Sequence, residues 1–381
     1  MERTEGMSEP FGLDVNMLVR VLNYLNAGVY VTDKERQIML WNRKAEEITG
    51  YRAEEVVGTA CHDDVLNHIN KDGVRLCPSE LCPLYRSIKT GVASEKPVLV
   101  YARKRDGERV AVSVSVAPLH DDSGNIIGGI EIFHDETSTV ADLEFAQNIQ
   151  QKLLPQTLPD VKNVDFDVRY YPRELVGGDF YDIRELKGGQ YGIMVADVRG
   201  HGVSAALYTM WLKSLEESNI DLAGKPSEFM TVLNRELSRF VVSGSFATVF
   251  YSVLDVETYQ VKYSNAGHPP PLHFQFHDGR GMPTESEVHG PPIGVAADQE
   301  YAASILSLEP GDLLLCYTDG VSEVYDKDGK MLGIDGLGRL VKNAMSETSS
   351  DLLDRLHKLV IEKCAGVSLS DDVLLLSVKR R

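Results

Sequence analysis

The sequence predicts an α+β protein whose two folded domains are joined by one helix. Up to residue 135, short stretches alternate apolar and polar residues, as half-buried antiparallel strands do. After residue 156 the strand-like stretches are longer and almost continuously apolar, and helical patterns separate them. The 381 residues give room for two or three domains, and 43% hydrophobic with 25% charged residues is ordinary globular usage. A disordered chain or a small disulfide scaffold is therefore excluded.

The charge balance and the lack of long apolar runs restrict the expected partners. Lys and Arg number 39 against 57 Asp and Glu, and the resulting net charge of −18 repels nucleic acid and anionic lipid. No apolar run reaches the ~18–20 residues that a membrane span needs. The N-terminal residues also lack the basic and apolar regions of a secretory signal. We therefore expect a cytoplasmic protein without nucleic acid or membrane partners, whose five cysteines are reduced.

The N-terminal domain, expected over residues 14–135, shows an opening helix, a hairpin, short helices and a three-stranded meander. Apolar residues three or four apart predict the helix, which ends near Leu25. Two runs rich in Val, Ile, Tyr and Trp flank a polar turn at residues 33–36 and predict the hairpin. Short helices follow up to Val57, and turn signals divide the stretch after residue 97 into three strands.

The linker, expected over residues 136–155, is predicted to form one continuous helix because no glycine or proline interrupts it before its last residue. Its apolar residues form one stripe: Val140, Leu143, Ala146, Ile149 and Leu153. Such a stripe suits pairing with a second copy in a homodimer or packing on a domain of the same chain, and the pattern leaves both open.

The C-terminal domain, expected over residues 156–381, alternates strand-like runs with two helical stretches. The runs are QYGIMVADV, FATVFYSVLDV, QVKYSNAG, DLLLCYTDG and DVLLLSVKRR, and the helical stretches are VSAALYTMWLKSLEESN and PSEFMTVLNRELSRFV. Because the runs are nearly all apolar, we expect sheets that are covered on both faces.

Acidic residues recur at the ends of these runs: Asp179 in VGGDFYD, Asp197 in VADVRGHG, Asp319 in YTDG, and Asp371 with Asp372 in SDDVLLLSV. A single Asp before Gly is more often a turn or a helix cap, but carboxylates at several strand ends can meet at one edge of a sheet pair. Their mutual repulsion would then favour a divalent cation with oxygen ligands, Mg²⁺ or Mn²⁺. Two such ions activate water and clamp a phosphoryl group, so the pattern predicts phosphoester hydrolysis.

Two resemblances to known families support this organisation. The strings VTDKERQIMLWNRKAEEITGY, EEVVG, KTG and RDGE stand in the order typical of PAS sensor domains, which implies a sensory or dimerising role but names no ligand. From Phe145 onward the chain resembles the SpoIIE/RsbU-type branch of the PPM metal-dependent protein Ser/Thr phosphatases. The strings that carry this second resemblance are AQNIQQKLLP, VGGDFYD, VADVRGHGVSAAL, NAGHPPP, PPIGV, LLLCYTDGVSE and SDDVLLLSV.

The second resemblance implies an αββα layered sandwich with a two-metal site. It implies that Asp197 bridges both Mn²⁺ or Mg²⁺ ions, with the backbone carbonyl of Val198 beside it. Asp319 and Asp371 match the remaining carboxylates, and Asp179 matches the acidic residue of the first strand. Asp197 and Asp319 are the residues expected to carry catalysis.

Neighbouring residues are expected to support that site. Asp372 suits a role behind the ligands, and Gly200 lets the backbone approach closely. Arg199 stands where relatives carry a small or uncharged residue, and it could bind the substrate phosphate or pair with a neighbouring acid; we favour the ion pair. His201 is a candidate acid by its chemistry, whereas NAGHPPP with His268 is interpreted as a structured turn at a strand end.

The resemblance further implies the reaction and the partner. The expected function is a sensor-regulated phosphatase that dephosphorylates a STAS-domain anti-sigma-factor antagonist in a bacterial partner-switching pathway, acting as a homodimer. The alternative is an inactive phosphatase fold that only binds a signalling partner. A third interpretation, the GGDEF signature of diguanylate cyclases in VGGDFYD, leaves YTDG and SDDV unexplained.

A cysteine cluster in the N-terminal domain leaves several interpretations open. Cys61, Cys77 and Cys82 lie in one segment, with His62 and His68 nearby. Such ligands could bind zinc, an iron–sulfur cluster or haem, or the thiols could form a redox switch. The spacing is not C-x-x-C, and free cysteines are often small buried apolar residues, so we favour simple burial.

Overall fold

The computed structural model describes residues 15–63, 65–71, 73–77, 79–239, 244–275, 288–326, 328–345, 352–363 and 371–381. The predicted start of the first domain at residue 14 lies outside the described residues. The chain divides into two compact units, Met1–Asp142 and Leu143–Arg381. Within the described ranges, no helix combines the length and the apolarity that crossing a membrane requires.

The first unit contains one five-stranded antiparallel sheet. Its strands are β1 Gly28–Asp33, β2 Ile38–Trp41, β3 Val98–Arg103, β4 Arg109–His120 and β5 Ile126–Asp135, in the order β2-β1-β5-β4-β3. Its helices are α1 Val15–Tyr24, α2 Arg43–Thr49, α3 Ala53–Val56 and α4 Pro83–Thr90. The predicted hairpin and meander are confirmed by the pairing of β1 with β2 and of β4 with both β3 and β5. Helix α4, which has only eight residues and begins with proline, was not predicted.

Helix α5, Thr137–Leu153, confirms the continuous helix predicted for the linker. The predicted apolar stripe holds only in part. Val140 is buried, but Ile149 is 37% exposed and its neighbour Gln150 is buried instead. Gln150 is buried because it hydrogen-bonds the backbone of the second unit, as described below.

The second unit contains two antiparallel sheets. The first has the order β12-β10-β9-β8-β7 and the second the order β11-β13-β14-β6. The strands are β6 Val164–Tyr171, β7 Asp179–Glu185, β8 Gln190–Val198, β9 Ala247–Asp255, β10 Gln260–Ala266, β11 Leu272–Phe274, β12 Ser304–Ser307, β13 Leu313–Tyr317 and β14 Val373–Arg380. The helices are α6 Val203–Ser218, α7 Pro226–Ser238, α8 Asp319–Ser322, α9 Gly333–Met345 and α10 Leu352–Lys363.

These elements form the expected αββα sandwich. One apolar core lies between the two sheets, a second between the first sheet and helices α6 and α7, and a third between the second sheet and helices α8 to α10. Both sheets are therefore covered on both faces, which explains their apolar strands. Helices α9 and α10 were not predicted; α9 contains three glycines, which weaken a helical pattern.

Candidate functional site

The inward faces of four strands change from apolar to polar at one edge of the sandwich. Along β8, Ile193 and Val195 belong to the core between the sheets, and the alternation of a strand places Asp197 on that same face. The same alternation, in which every second residue faces the core, continues to the other polar residues. It leads to Asp179 at the start of β7, to Thr318 after β13 and to Asp372 before β14. Strand geometry thus brings distant parts of the sequence to one edge.

Asp179 and Asp197 face each other across neighbouring strands. They are directly paired in the register of β7 with β8, so their side chains share one face. Asp179 is buried, and its Oδ2 accepts a 2.7 Å hydrogen bond from the hydroxyl of Thr318 on the other sheet. The backbone N–H of Leu374 donates to the same hydroxyl at 3.1 Å. Thr318 therefore holds the Asp179 carboxyl in a fixed orientation.

Asp372 connects the segment before β7 to the second sheet. Its Oδ1 accepts from the backbone N–H of Arg173 at 2.7 Å, and its Oδ2 accepts from the N–H of Gly178 at 2.7 Å. A longer contact of 3.4 Å joins Oδ2 to the N–H of Asp179. The carboxyl is buried, and both of its oxygens accept hydrogen bonds from backbone N–H groups. Asp372 thus supports the strand end that carries Asp179.

Asp319 and Asp371 lie together on the other side of the edge. Asp319 is the first residue of α8, and the next residue, Gly320, packs closely against the start of β14. A Cβ atom on Gly320 would lie 1.9 Å from the carbonyl oxygen of Asp372 and 3.4 Å from the Cβ of Asp371. Only glycine permits this approach. Both carboxyls are partly exposed, unlike that of Asp372.

The carboxyl groups at this edge repel one another. Burial raises the pKa of Asp197 to about 7, and the charges of Asp319 and Asp371 add to the shift. Burial also raises the pKa of Asp319 to about 6, with Asp371 and Glu323 contributing. The pKa of Asp179 is raised well above its usual range by burial and then by the charge of Asp197. A positive charge placed here would stabilise all of these carboxylates.

The donor set fits a hydrated divalent cation. Among the described residues, no group of three His, Cys, Asp or Glu side chains is placed to hold an ion unaided. Mg²⁺ commonly keeps several waters and takes one or two carboxylates, however, so the facing pairs at this edge satisfy its chemistry. A buried hydroxyl also lies at the site, because the oxygen of Tyr170 has no hydrogen-bond partner among the described residues. Burial raises the pKa of this hydroxyl most, and the charges of the nearby carboxylates raise it further.

The backbone beside Asp197 approaches the opposite strand end closely. The N–H of Val198 donates to the carbonyl of Gly178 at 3.1 Å. A Cβ atom on Gly178 would lie 2.8 Å from the carbonyl oxygen of Val198. Gly200 has a φ angle of +98°, which favours glycine. The chain therefore turns sharply at the residues where a backbone ligand was expected.

Arg199 makes other contacts than expected, and His201 lies beside an acid. Arg199 donates from Nη1 to the carbonyl of Gly244 at 2.9 Å and lies over the ring of Phe246, 5.3 Å from its centroid. Within the described residues no acid pairs with it, so a carbonyl and a ring replace the expected ion pair. His201 places Nδ1 2.8 Å from the carboxylate of Glu174, and both side chains are exposed.

The turn predicted in NAGHPPP is confirmed. The amide of Asn265 donates to the carbonyl of His268 at 2.9 Å, and its oxygen accepts from the N–H of His268 at 2.8 Å. The imidazole of His268 is buried, with Nδ1 2.9 Å from the hydroxyl of Thr248. Burial lowers the pKa of His268 to about 3, so the ring is neutral and is no proton donor at neutral pH.

Four residues of this region were not predicted from the sequence: Gln150, Tyr170, Thr318 and Glu323. Thr318 carried a signal, since the alternation of β13 through Cys316 leads to it. Gln150 carried a weaker one, as a polar residue four positions after Ala146 of the predicted stripe. Tyr170 and Glu323 join the site only through folding.

The raised pKa values predict how metal-free stability depends on pH. Asp197 binds a proton in the folded state at pH values where the unfolded chain does not, so its ionisation lowers stability as the pH rises from about 4 to about 7. The Asp197→Asn variant has no carboxyl to ionise at this position, so its stability does not fall for this reason. We expect it to gain stability over the wild type above about pH 7, and the gain to vanish near pH 4. Urea unfolding in chelator at several pH values measures the difference, and a gain independent of pH would contradict the burial of a repelled carboxyl.

The cysteines of the first unit are buried, as predicted. Cys61, Cys77 and Cys82 are all unpaired and lie in the core of that unit. Cys77 and Cys82 are in contact, with their sulfurs 3.9 Å apart.

Comparisons with known proteins agree with this architecture. A family model described as stage II sporulation protein E matches residues 187–381, and a PAS domain model matches residues 26–138. The phosphoserine phosphatase RsbU of Bacillus subtilis is 27% identical over 241 residues, which cover 63% of this chain and 70% of RsbU. The phosphoserine phosphatase RsbP of the same organism is 33% identical over 190 residues, 49% of this chain and 46% of RsbP.

Solved structures share the fold of the second unit. The PP2C domain of SiaA from Pseudomonas aeruginosa has a TM-score of 0.57 at 22% identity, covering 64% of this chain and 98% of that one. The RsbU and RsbW domains of a Mycobacterium tuberculosis protein have a TM-score of 0.50 at 28% identity, covering 58% and 61%. The chain therefore belongs to the stage II sporulation protein E family of PPM-type phosphatases and carries a PAS domain before the phosphatase domain.

Proposed function

We propose that this chain is a sensor-regulated protein Ser/Thr phosphatase that uses two Mn²⁺ or Mg²⁺ ions. Its substrate in this proposal is a phosphorylated STAS-domain anti-sigma-factor antagonist in a cytoplasmic bacterial partner-switching pathway. The main support for the proposal is that four carboxyl groups lie at one edge of the sandwich, where burial and mutual repulsion favour bound cations. They belong to Asp179, Asp197, Asp319 and Asp371. The names of RsbU and RsbP as phosphoserine phosphatases support the reaction type.

Each residue at the edge has a separate role in this proposal. Asp179, Asp197 and the carbonyl of Val198 would hold one ion, and Asp197, Asp319 and Asp371 the other. When bound, such ions acidify a water molecule and offset the charge of the phosphate oxygens. Thr318 orients the Asp179 carboxyl through its hydroxyl.

A cavity next to Asp319 has room for a short segment of the substrate protein. Its volume is about 940 Å³, and it lies between the Asn265–His268 turn and the start of α9. Leu332 and Ile334 supply apolar lining, and Arg339 supplies a positive charge. We infer that the residues flanking a phosphoserine bind here, because the cavity opens beside the carboxylates that would hold the ions.

Regulation would pass through α5, which links the two units. Gln150 on this helix donates to the carbonyl of Gly177 at 2.7 Å and to the hydroxyl of Thr209 at 3.0 Å, and it accepts from the N–H of Gly177 at 3.1 Å. Gly177 precedes Gly178 and Asp179, so the helix holds the strand end of the site. Apolar side chains left exposed on α1 and α5, such as Tyr24 and Phe145, support pairing with a second copy.

Gln150→Ala should weaken metal use, because the loop before Asp179 loses its connection to α5. We expect the Mn²⁺ concentration for half-maximal phosphate release to rise by about 10-fold or more, in line with other groups that position metal ligands. The matched control is Gln151→Ala, which changes an exposed neighbour on the same helix. An equal response of both variants, or none in either, would contradict the role of Gln150.

The proposed function is tested by phosphate release from phosphorylated STAS-domain proteins, with Mn²⁺ and with chelator. We expect release with Mn²⁺ and none with chelator. Binding of the phosphoprotein without any release would favour the alternative of an inactive binding module. Release from a generic phosphate ester alone would keep the phosphatase and reject the substrate.

A further inference from the structure

Two cysteine thiols touch in the core of the first unit. The sulfur of Cys77 lies 3.9 Å from that of Cys82, and Cys77 donates a weak hydrogen bond to it. Both residues are buried, at 4% and 2% exposure. A disulfide needs its sulfurs about 2 Å apart, so the two sulfurs would have to approach each other by a further ~2 Å to be joined.

The surroundings distinguish the two thiols. Cys82 is the residue before the first turn of α4, and Pro83 occupies that first turn. The hydrogen bond from Cys77 lowers the pKa of Cys82 to about 6 despite burial, and the N–H groups of Tyr85 and Leu84 act in the same direction. The pKa of Cys77 is raised, first by that same hydrogen bond. These contacts favour the thiolate at Cys82 and the protonated form at Cys77.

Charged groups around the pair favour the same assignment. Arg36 lies over the ring of Tyr85, 4.9 Å from its centroid, and its positive charge helps to lower the pKa of Cys82. Glu131 is fully buried, and Nε2 of His68 lies 3.7 Å from its Oε1. Burial raises the pKa of Glu131 well above its usual range, and this favours the neutral carboxyl, which does not repel a thiolate.

The third cysteine of the cluster is unsuited to this chemistry. Burial raises the pKa of Cys61 to about 12, so it remains a thiol. No group of three His, Cys, Asp or Glu side chains in the described ranges is placed to hold a metal ion.

We propose that Cys77 and Cys82 form a reversible disulfide when the protein meets a peroxide, which makes the first unit a redox-responsive module. The segment directly before Cys82 lies at the surface, since Glu80 and Leu81 are exposed. The disulfide forms where α4 packs on β4 and β5, and β5 leads directly into α5. Transient disulfides of reduced compartments are typically redox-sensing ones.

The chemistry balances in two steps. The Cys82 thiolate attacks one peroxide oxygen, the O–O bond breaks, and the products are a Cys82 sulfenic acid and hydroxide. The Cys77 sulfur then attacks the Cys82 sulfur, the S–O bond breaks, and the Cys77 proton leaves with the hydroxyl as water. The dithiol is oxidised by two electrons, and the peroxide is reduced. A thiol reductant reverses the change.

The test is thiol counting and peptide mapping of the full chain after brief exposure to hydrogen peroxide. We expect two of the five thiols to disappear, with a mass loss of about 2 Da that maps to a Cys77–Cys82 crosslink and is reversed by dithiothreitol. This measurement needs no variant and no phosphatase activity. Five remaining thiols, or a crosslink that involves Cys61, would overturn the proposal.

Two variants separate the roles of the thiols. In Cys77→Ser the sulfenic acid of Cys82 cannot be resolved, so a dimedone reagent should label Cys82. In Cys82→Ser, Cys77 should stay unlabelled and no crosslink should form. Cys61→Ser is the matched control and should keep the Cys77–Cys82 crosslink. Labelling of Cys77 rather than Cys82 would contradict the assignment of the nucleophile.

Discussion

Replacing Asp197 by alanine is expected to lower Mn²⁺-dependent phosphate release by at least about 100-fold, and Asp319→Ala should do the same. Each carboxyl lies at the edge where the two sheets meet, and each is repelled by Asp371 in the metal-free protein. Its removal takes away a ligand but relieves that repulsion. The metal-free variants should therefore unfold at the same temperature as the wild type or at a higher one.

The measurement combines steady-state phosphate release over a range of Mn²⁺ concentrations with thermal unfolding in chelator. Asp298→Ala is the matched control, because Asp298 is an exposed aspartate of the same unit. It should change neither quantity. Undiminished release by the Asp197 or the Asp319 variant would remove that residue from the proposed site.

Replacing Asp371 and Asp372 by alanine should change the stability of the second unit by different amounts. Asp372→Ala should lower the free energy of unfolding of the second unit by about 2–3 kcal/mol, because the buried N–H of Gly178 loses its acceptor. Asp371→Ala should change that stability by less than about 1 kcal/mol, since its carboxyl is partly exposed. Phosphate release should nevertheless fall strongly in the Asp371 variant, which loses a proposed metal ligand.

Urea unfolding with Trp211 fluorescence can measure these stabilities, in a Trp41→Phe background common to all variants. The chain has only these two tryptophans, and Trp211 reports on the second unit. Equal stability losses in both variants would contradict the separation of roles. A stable Asp372→Ala protein would show that its backbone hydrogen bonds do not support the strand end.

The αββα architecture could be predicted because its strands are long and apolar, and because family motifs marked their ends. Helices α4, α9 and α10 were not predicted: α4 has only eight residues, and α9 contains three glycines, which lower helix propensity. The burial of Gln150 in place of Ile149 was also missed. Side chains one position apart on a helix face differently, and only the hydrogen bonds to Gly177 decide which of the two is buried.

The sequence by itself determined the order of the domains and the placing of acidic residues at strand ends, because strand periodicity and turn chemistry are local properties. Only the tertiary structure decided which member of the Asp371–Asp372 pair faces the backbone of the other strand end. Consecutive residues of a strand point to opposite faces, so the pairing of β14 with β6 and β13 sets their directions. The contact between Cys77 and Cys82 likewise depends on how the segment before α4 folds.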